Sequence, residues 1–389
     1  MEVVDSYDDD QGLIPDLPEH VAMLCLMRVP VQAHAQLGAV SRKWRDLVES
    51  AEFYENRLRE GTTGHYICLL QAPPESHSST EETSVSQHGP VGYGVSLYNM
   101  QQQTWERLPP VPEYPDGLPL FCRFVALAGK ILVIGGWNSE METLLSVHVF
   151  HFSTRTWSKC ADMPSARSFF TCGVVGKNRV LVAGGHDNGK TALKTVDAYD
   201  LENDCWESIP SMHEERDEPG SVVLDGKFFV ISGYPTTAQG RFVPSAEVYD
   251  PSENSWTRIE SMWGMGSTIS SPGQTLVVVE GKLFAFQEQQ LFCYNAEKNK
   301  WELITDSGYP SDIITPMCAT AVGSMLVVTG AEKNEADETS FKTLMYDTSR
   351  ADCNLSAPRS SETSCSEWQM VVADRQFQGI TQISCAVEV

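Results

Sequence analysis

An aromatic residue in a short strand, then a polar turn, then a tryptophan recur at nearly even spacing along most of this chain. No other feature of the sequence restricts its fold as severely. The clearest copies are DAYDLENDCW (197–206) and EVYDPSENSW (247–256); LYNMQQQTW (97–105), VFHFSTRTW (149–157) and FCYNAEKNKW (292–301) follow the same plan. Trp105, Trp157, Trp206, Trp256 and Trp301 stand 52, 49, 50 and 45 residues apart, and Trp368 extends the series after a long insertion. Self-similarity at such a period means that each unit is one supersecondary motif that cannot bury its apolar face alone, so the units must stack.

Before these turns come apolar runs that end in a small or glycine pair: KILVIGGW (130–137), RVLVAGGH (179–186), KFFVISGY (227–234) and MLVVTGA (325–331). KLFAFQEQ (282–289) fits the same place with its glycines lost. A glycine pair at the end of an inner strand permits backbone angles closed to other residues and lets neighbouring backbone approach. The Tyr-Asp/Asn turn reverses the chain through side-chain-to-backbone hydrogen bonds. The tryptophan fills the wedge between units that diverge outward, and losing one such ring costs about 3–5 kcal/mol. From residue 65 onward, short apolar runs separated by Gly, Pro, Asn and Asp read as all-β.

The region 65–389 resembles the kelch repeat family, which implies a mainly β chain with four antiparallel strands per blade of a β-propeller. HYICLLQA (65–72) has a second-strand pattern with no innermost strand before it, and GITQISCAVEV (379–389) reads as an innermost strand with no repeat after it. The simplest arrangement lets the final strand complete the first blade and close a six-bladed ring; a seven-bladed ring is the alternative. PPESHSSTEETSVSQHGP (73–90) and ADCNLSAPRSSETSCSE (351–367) lack periodicity and read as flexible loops.

Residues 13–60 have a different character and read as helices: LPEHVAMLCLMRV, QAHAQLGAV and SRKWRDLVESAEFYENRLRE. They contain, in order, Leu17-Pro18, Val21, Cys25, Leu26, Val29-Pro30, Leu37 and Val40-Ser41-Arg42-Lys43-Trp44. Pro18 suits an early helical position, where its missing N–H costs nothing, and Pro30 ends the first helix. So short a helical unit buries few apolar residues within itself, and its remaining apolar surface needs a partner. This segment resembles an F-box, with Ser41 where that family often has Cys. The other reading of the helices is a cap packed on the propeller. The resemblance implies docking on the Skp-type adaptor of an SCF ubiquitin ligase, and through it on a cullin, with Leu17, Pro18, Val21, Cys25, Leu26, Val29, Pro30, Val40 and Trp44 as the adaptor-binding set. It also implies a non-catalytic receptor with a core separate from the propeller's.

A single F-box before kelch repeats is typical of plant proteins, and LIPDLPEHVAMLCLMRVP, ARSFFTCGVVGKNRVLVAGGHDNGKTAL and EERDEPGSVVLDGKFFVISGYPTTAQGRF resemble the plant kelch-domain F-box group. Members of that group direct turnover of phenylpropanoid enzymes such as phenylalanine ammonia-lyase or chalcone synthase, or of type-B response regulators in cytokinin signalling. The resemblance does not choose among these targets. Alternatives within the kelch family are a non-degradative or cytoskeleton-binding scaffold and a galactose-oxidase-like copper enzyme. For the enzyme no histidine cluster is visible, since His148 and His151 fall on opposite faces of one strand. No cofactor or metal is expected.

Charge and cysteine usage narrow the partners. With 52 acidic and 28 basic residues the formal charge is −24, which disfavours nucleic acid. The 11 cysteines are odd in number and include no C-x-x-C spacing, so they read as small buried apolar residues of a reducing compartment. Residues 1–12 form an acidic tail, expected to be disordered, whose MEVVDSYDDD start does not suit a signal peptide, and VAMLCLM (21–27) is too short to span a bilayer. Cytoplasm or nucleus, with no membrane contact, is the expectation. Target contacts are expected on loops. In the kelch family the residue just before each innermost strand, and those just after the glycine pair, often line one face. Transferred to this chain, those positions are Arg167 and Arg216, with Trp137, His186, Asp187 and Tyr234. Exposed Arg and aromatic residues are favoured anchors. Arg123 is a weaker candidate, because its spacing to the next Gly-Lys is shorter than that of Arg167.

Overall fold

Two-residue hairpin turns show how the sequence builds each blade. Ala128-Gly129, Asp225-Gly226 and Glu280-Gly281 all have both residues at positive φ (48 and 67°, 51 and 73°, 48 and 73°). That geometry matches the twist of the strands it joins. The computed structural model describes residues 12–72, 92–264, 269–287, 290–304, 313–333, 339–350 and 368–389. Residues 1–11 of the acidic tail and the loops 73–90 and 351–367 lie outside the described residues.

Four helices lead: α1 (Glu19–Met27), α2 (His34–Val40), α3 (Arg42–Glu49) and α4 (Ala51–Glu60). Six four-stranded antiparallel sheets follow. The first blade contains β1 (His65–Gln71), β2 (Gly94–Asn99) and β3 (Thr104–Arg107). The second is β4 (Arg123–Leu127), β5 (Lys130–Ile134), β6 (Val147–His151) and β7 (Thr156–Lys159). The third is β8 (Thr171–Val175), β9 (Arg179–Ala183), β10 (Val196–Asp200) and β11 (Cys205–Ile209). The fourth is β12 (Gly220–Leu224), β13 (Lys227–Ile231), β14 (Ala246–Asp250) and β15 (Ser255–Ile259). The fifth is β16 (Leu276–Val279), β17 (Lys282–Gln287), β18 (Gln290–Asn295) and β19 (Lys300–Leu303). The sixth is β20 (Ile313–Val322), β21 (Met325–Lys333), β22 (Thr339–Asp347) and β23 (Gln369–Val371).

The last strand, β24 (Thr381–Glu388), pairs with β1 from His65↔Glu388 to Gln71↔Thr381 and supplies the innermost strand of the first blade. The ring therefore has six blades and closes as the spacing predicts. The repeated aromatics are cross-strand partners: Tyr98↔Trp105, Phe150↔Trp157, Tyr199↔Trp206, Tyr249↔Trp256 and Tyr294↔Trp301. Their ring centroids lie 4.9–5.3 Å apart, and Tyr346 and Trp368 make the sixth pair at 4.9 Å. Except after Phe150, which His151 follows, the Asp or Asn after each aromatic accepts backbone N–H bonds across its turn, as Asp200 does from Glu202 and Asn203. The apolar cores lie between blades: Leu132 and Val149 of the second pack with Val180, Val182 and Tyr199 of the third. A Cβ on Gly136 would stand 2.6 Å from the Leu120 carbonyl, and one on Gly185 2.3 Å from that of Ser168, which explains the glycine pairs.

Removing residues 381–389 strips the pairing edge from β1 and opens the ring. The thermal midpoint of the truncated chain should fall by more than about 10 °C, read by scanning calorimetry, with much lower soluble yield. A truncated chain as stable as the intact one would contradict closure by β24.

Candidate functional site

The helical end is built around a small core of Leu13, Ala22, Leu26, Met27, Val48 and Phe53. Ser41 caps α3, its Oγ accepting from the Trp44 N–H at 3.1 Å, and Ser50 caps α4 in the same way. Trp44 is half-buried and its Nε1 donates to the Leu13 carbonyl at 2.6 Å, pinning the start of the segment. Of the sequence-predicted adaptor contacts, Leu17, Pro18, Cys25, Pro30 and Val40 are exposed, and Val21 and Val29 are half-buried. Val40 shows 65% of its surface. Leu26 points inward and is buried in the helical core, so it is not a contact but a support.

This module is not separate from the propeller. Val31 enters the core between the first two blades, and the Gln32 side chain donates to the Tyr66 hydroxyl at 2.6 Å. The Tyr54 hydroxyl donates to the Glu388 carbonyl, and Gly64 and Val389 exchange two backbone bonds. A Cβ on Gly129 would sit 2.7 Å from the Tyr54 ring. Arg57, buried, donates to the Met27 and Thr62 carbonyls and ties α1 to the chain leaving α4. The F-box core stays distinct from the propeller cores, as expected, but Val31 and the closing strand seat the module on the propeller through one shared interface. A cleft of about 750 Å³ runs along it, lined by residues including Tyr54, Gly129, Asn178, Leu201 and Val389.

Those propeller residues fix the orientation. Gly129 lies in the β4–β5 turn, Asn178 in the β8–β9 turn and Leu201 in the β10–β11 turn, all at one end of the ring. The segments before β4, β8 and β12, and those after β5, β9 and β13, lie at the other ends of the same strands. Five residues of strand put about 16 Å between the two ends.

At that far end Phe121, Trp137, Phe169 and His186 form one aromatic cluster. Phe121 stacks on Phe169 with centroids 4.3 Å apart, Trp137 meets both edge-on at 5.2 Å, and His186 stacks on Phe169 at 5.3 Å. Lys190 places its ammonium 3.7 Å above the Trp137 ring and 3.3 Å from His186 Nε2. His186 Nδ1 lies 2.8 Å from the Asp217 carboxylate, which fixes the tautomer: Nδ1–H donates and Nε2 accepts from Lys190. Trp137 and Asp187 are half-buried, and His186 and Tyr234 are buried. Asp187 Oδ1 accepts from the Thr191 N–H within its own loop, and the Tyr234 hydroxyl donates to Glu218 at 2.9 Å.

Arg167 and Arg216 are not exposed anchors: both side chains are 0% accessible. Arg167 donates to Asp197 and to the Thr195 carbonyl at 3.1 Å. Arg216 donates to Glu247 at 3.2 Å, to the Ser232 carbonyl at 2.7 Å and to the Ser245 carbonyl at 3.1 Å. Each guanidinium stitches the loop before its innermost strand to the loop after the second strand of the same blade. Burial pushes both below the ordinary arginine pKa, with Asp197 and Glu247 pulling back up. Removing either arginine strands a buried acid, at a cost of about 3–5 kcal/mol, so the change would unsettle the loops rather than report on a target.

The F-box domain profile matches residues 14–56, and the KLHDC2/KLHL20/DRC7 kelch-repeats domain matches residues 84–287. F-box/kelch-repeat protein At2g44130 of Arabidopsis thaliana is 39% identical over 317 residues, covering 76% of each chain. F-box/kelch-repeat protein SKIP20 of the same plant is 35% identical over 384 residues, covering 83% of this chain and 91% of its own length. The chain belongs to the F-box/kelch-repeat family. Its described residues contain no helix long and apolar enough to cross a membrane and no converging set of three His, Cys, Asp or Glu. His148 instead meets Glu113 at 3.0 Å, and His151 meets Ser158.

The kelch-family positions pointed to the arginines of this F-box/kelch protein and missed Phe121, Phe169, Lys190 and Glu218. Phe169 and Glu218 sit two places after Arg167 and Arg216, at φ 52 and 50°, and Phe121 has the matching φ of 56°. Bulky residues rarely adopt such angles. The recurrence of Phe two positions before β4 and β8 was the available signal.

Within the F-box, burial and the nearby Arg57 charge lower the His34 pKa from 6.5 to about 4. The folded ring stays neutral while the unfolded one takes up a proton, so stability falls as pH drops from 6.5 toward 4. Up to about 3 kcal/mol is lost across that window. Thermal melts of the F-box at pH 7 and pH 4.5 should show the loss in the native chain and a smaller one in His34→Gln. Equal losses in both would remove His34 as the cause.

Proposed function

We propose that this chain is the substrate-receptor subunit of an SCF-type ubiquitin ligase, docking on a Skp-type adaptor through its F-box and holding a protein target on its kelch propeller. The observation that carries this reading is the placement of the two modules at opposite ends of one ring. An apolar set on the F-box, exposed at Leu17, Pro18, Cys25, Pro30 and Val40 and half-buried at Val21, lies at one end. An aromatic cluster around Trp137, Phe169 and His186 occupies the other. In this reading the chain performs no chemistry. It keeps a target near the ubiquitin-charged enzyme carried by the cullin, so that transfer becomes effectively intramolecular. The fixed F-box–propeller junction supports that role, because a rigid spacer defines where the target stands. Phenylalanine ammonia-lyase, chalcone synthase and a type-B response regulator are the targets to test first, on the resemblance of the sequence to the plant group.

Leu17, Pro18 and Val21 changed together to Ala remove apolar anchors without touching the buried F-box core. In plant cells, excess native chain should shorten the half-life of its target only while the proteasome works. The triple variant should lose adaptor capture, keep its thermal midpoint and lengthen that half-life. Undiminished adaptor capture would refute the assigned docking set. Unchanged half-lives for all three candidates, with the native chain in an SCF complex, would refute the target class alone.

A further inference from the structure

The mouth of the central channel, at the end away from the F-box, contains a cavity of about 230 Å³ lined by Phe121, Arg123, Phe169, Glu218, Gln274 and Gln382 among others. A second cavity of about 150 Å³ lies below it and shares Arg123 and Gln274. Arg123 opens β4, an innermost strand, and its position corresponds to Thr171 in β8 and Gly220 in β12. It is therefore the place where this ring puts a cation into its channel. Its Nε donates to the Phe170 carbonyl. Among the described residues no carboxylate comes within ion-pair distance of it, in contrast to Arg167 with Asp197 and Arg216 with Glu247. The neighbouring innermost strand, β24, carries Gln382, whose buried side-chain oxygen has no hydrogen-bond partner. The half-buried guanidinium thus has no acid in contact, only the pull of Glu218 from beyond contact, and the buried Gln382 oxygen lacks a donor, which is costly unless something occupies the cavity.

We propose that this cavity binds a carboxylate carried on the side chain of an Asp or Glu of the protein target. The inference rests on the receptor reading above. Size supports a side chain over a whole small molecule, since drug-sized ligands need roughly 300 Å³ or more. Charge supports a carboxylate over a phosphate. A single guanidinium, drawn on from beyond contact by Glu218 at the same rim, can stand against one incoming negative charge but not two. Burial holds the Glu218 carboxyl above its ordinary pKa, with the Tyr234 hydroxyl donating to it. The Gln382 amide can turn its N–H₂ toward the anion beside Arg123, whose planar fork suits bidentate pairing. Phe121 and Phe169, stacked at the rim in left-handed backbone angles, offer flat apolar contact for the target backbone on either side of the acidic residue. Strain held at such positions is a mark of binding sites.

The test uses the full chain bound to a Skp-type adaptor and a randomised ten-residue peptide library, half with free and half with amidated C-termini. Peptides retained by the native chain should share an Asp or Glu. Changing that residue to Asn or Gln should weaken binding by about tenfold or more. Arg123→Gln should cause the same loss, with little further loss when both changes are combined, and Gln382→Glu should block binding by placing a competing carboxylate beside Arg123. Arg123→Lys should retain part of the affinity, and all variants should keep native adaptor capture and thermal midpoint. Amidated peptides should bind as well as free ones; dependence on the free C-terminus would overturn the side-chain assignment. Retained peptides without an acid, additive losses in the double change, or no retained peptide at all would overturn the proposal, while adaptor capture reports separately on the receptor reading.

Discussion

The ring is held shut by one contact repeated from blade to blade: an indole N–H donated to the backbone carbonyl of the blade before it. Trp157 donates to Pro109, Trp206 to Ala161, Trp256 to Pro210 and Trp301 to Met262, at 2.6–2.9 Å. Trp105 of the first blade donates to Val372 at 2.9 Å, just beyond the last strand of the sixth, and so carries the series across the point of closure. An amphipathic ring fills the diverging gap while its one polar atom is satisfied. Because the same bond links successive blades, the loops at either end of the ring are positioned by the whole ring rather than by their own blade.

Closure and the F-box are coupled through the C-terminal strand. β24 supplies the innermost strand of the first blade, and its last residues meet Gly64 and Tyr54. The same few residues thus seal the propeller and seat the helical module. Two ends follow from this, one carrying exposed F-box side chains and one carrying aromatic loops around the channel mouth, with a stiff sheet between them. For a receptor the distance from adaptor to target matters, because it decides whether ubiquitin can reach a lysine.

The tryptophan spacing made the blades legible, and the unmatched strand patterns at 65–72 and 379–389 made the closure legible. Side-chain roles were harder. Arg167 and Arg216 read as exposed because arginine usually is. Their acids were nevertheless in the sequence: Asp197 follows Arg167 by 30 residues and Glu247 follows Arg216 by 31. In the second blade, Pro119 and His148 hold the corresponding places, so arginine and acid are absent together. In α1, EHVAMLCLM is apolar nearly all round, and such a helix does not announce which face it buries. Hence Leu26 and its neighbour Cys25 looked alike, although one is core and the other surface. The dependence of Val31 on the propeller core could not be read locally, since it is created by a strand more than 300 residues away.

Cross-linking mass spectrometry of the full chain, purified from plant cells with the proteasome blocked, tests the two-ended arrangement most directly. Adaptor cross-links should fall on the F-box, with Lys43 the nearest reactive amine, and those from the co-purified target should fall on the far loops, with Lys190 foremost. Adaptor and target cross-links at the same end of the ring, or a purified chain that carries no adaptor, would contradict the account.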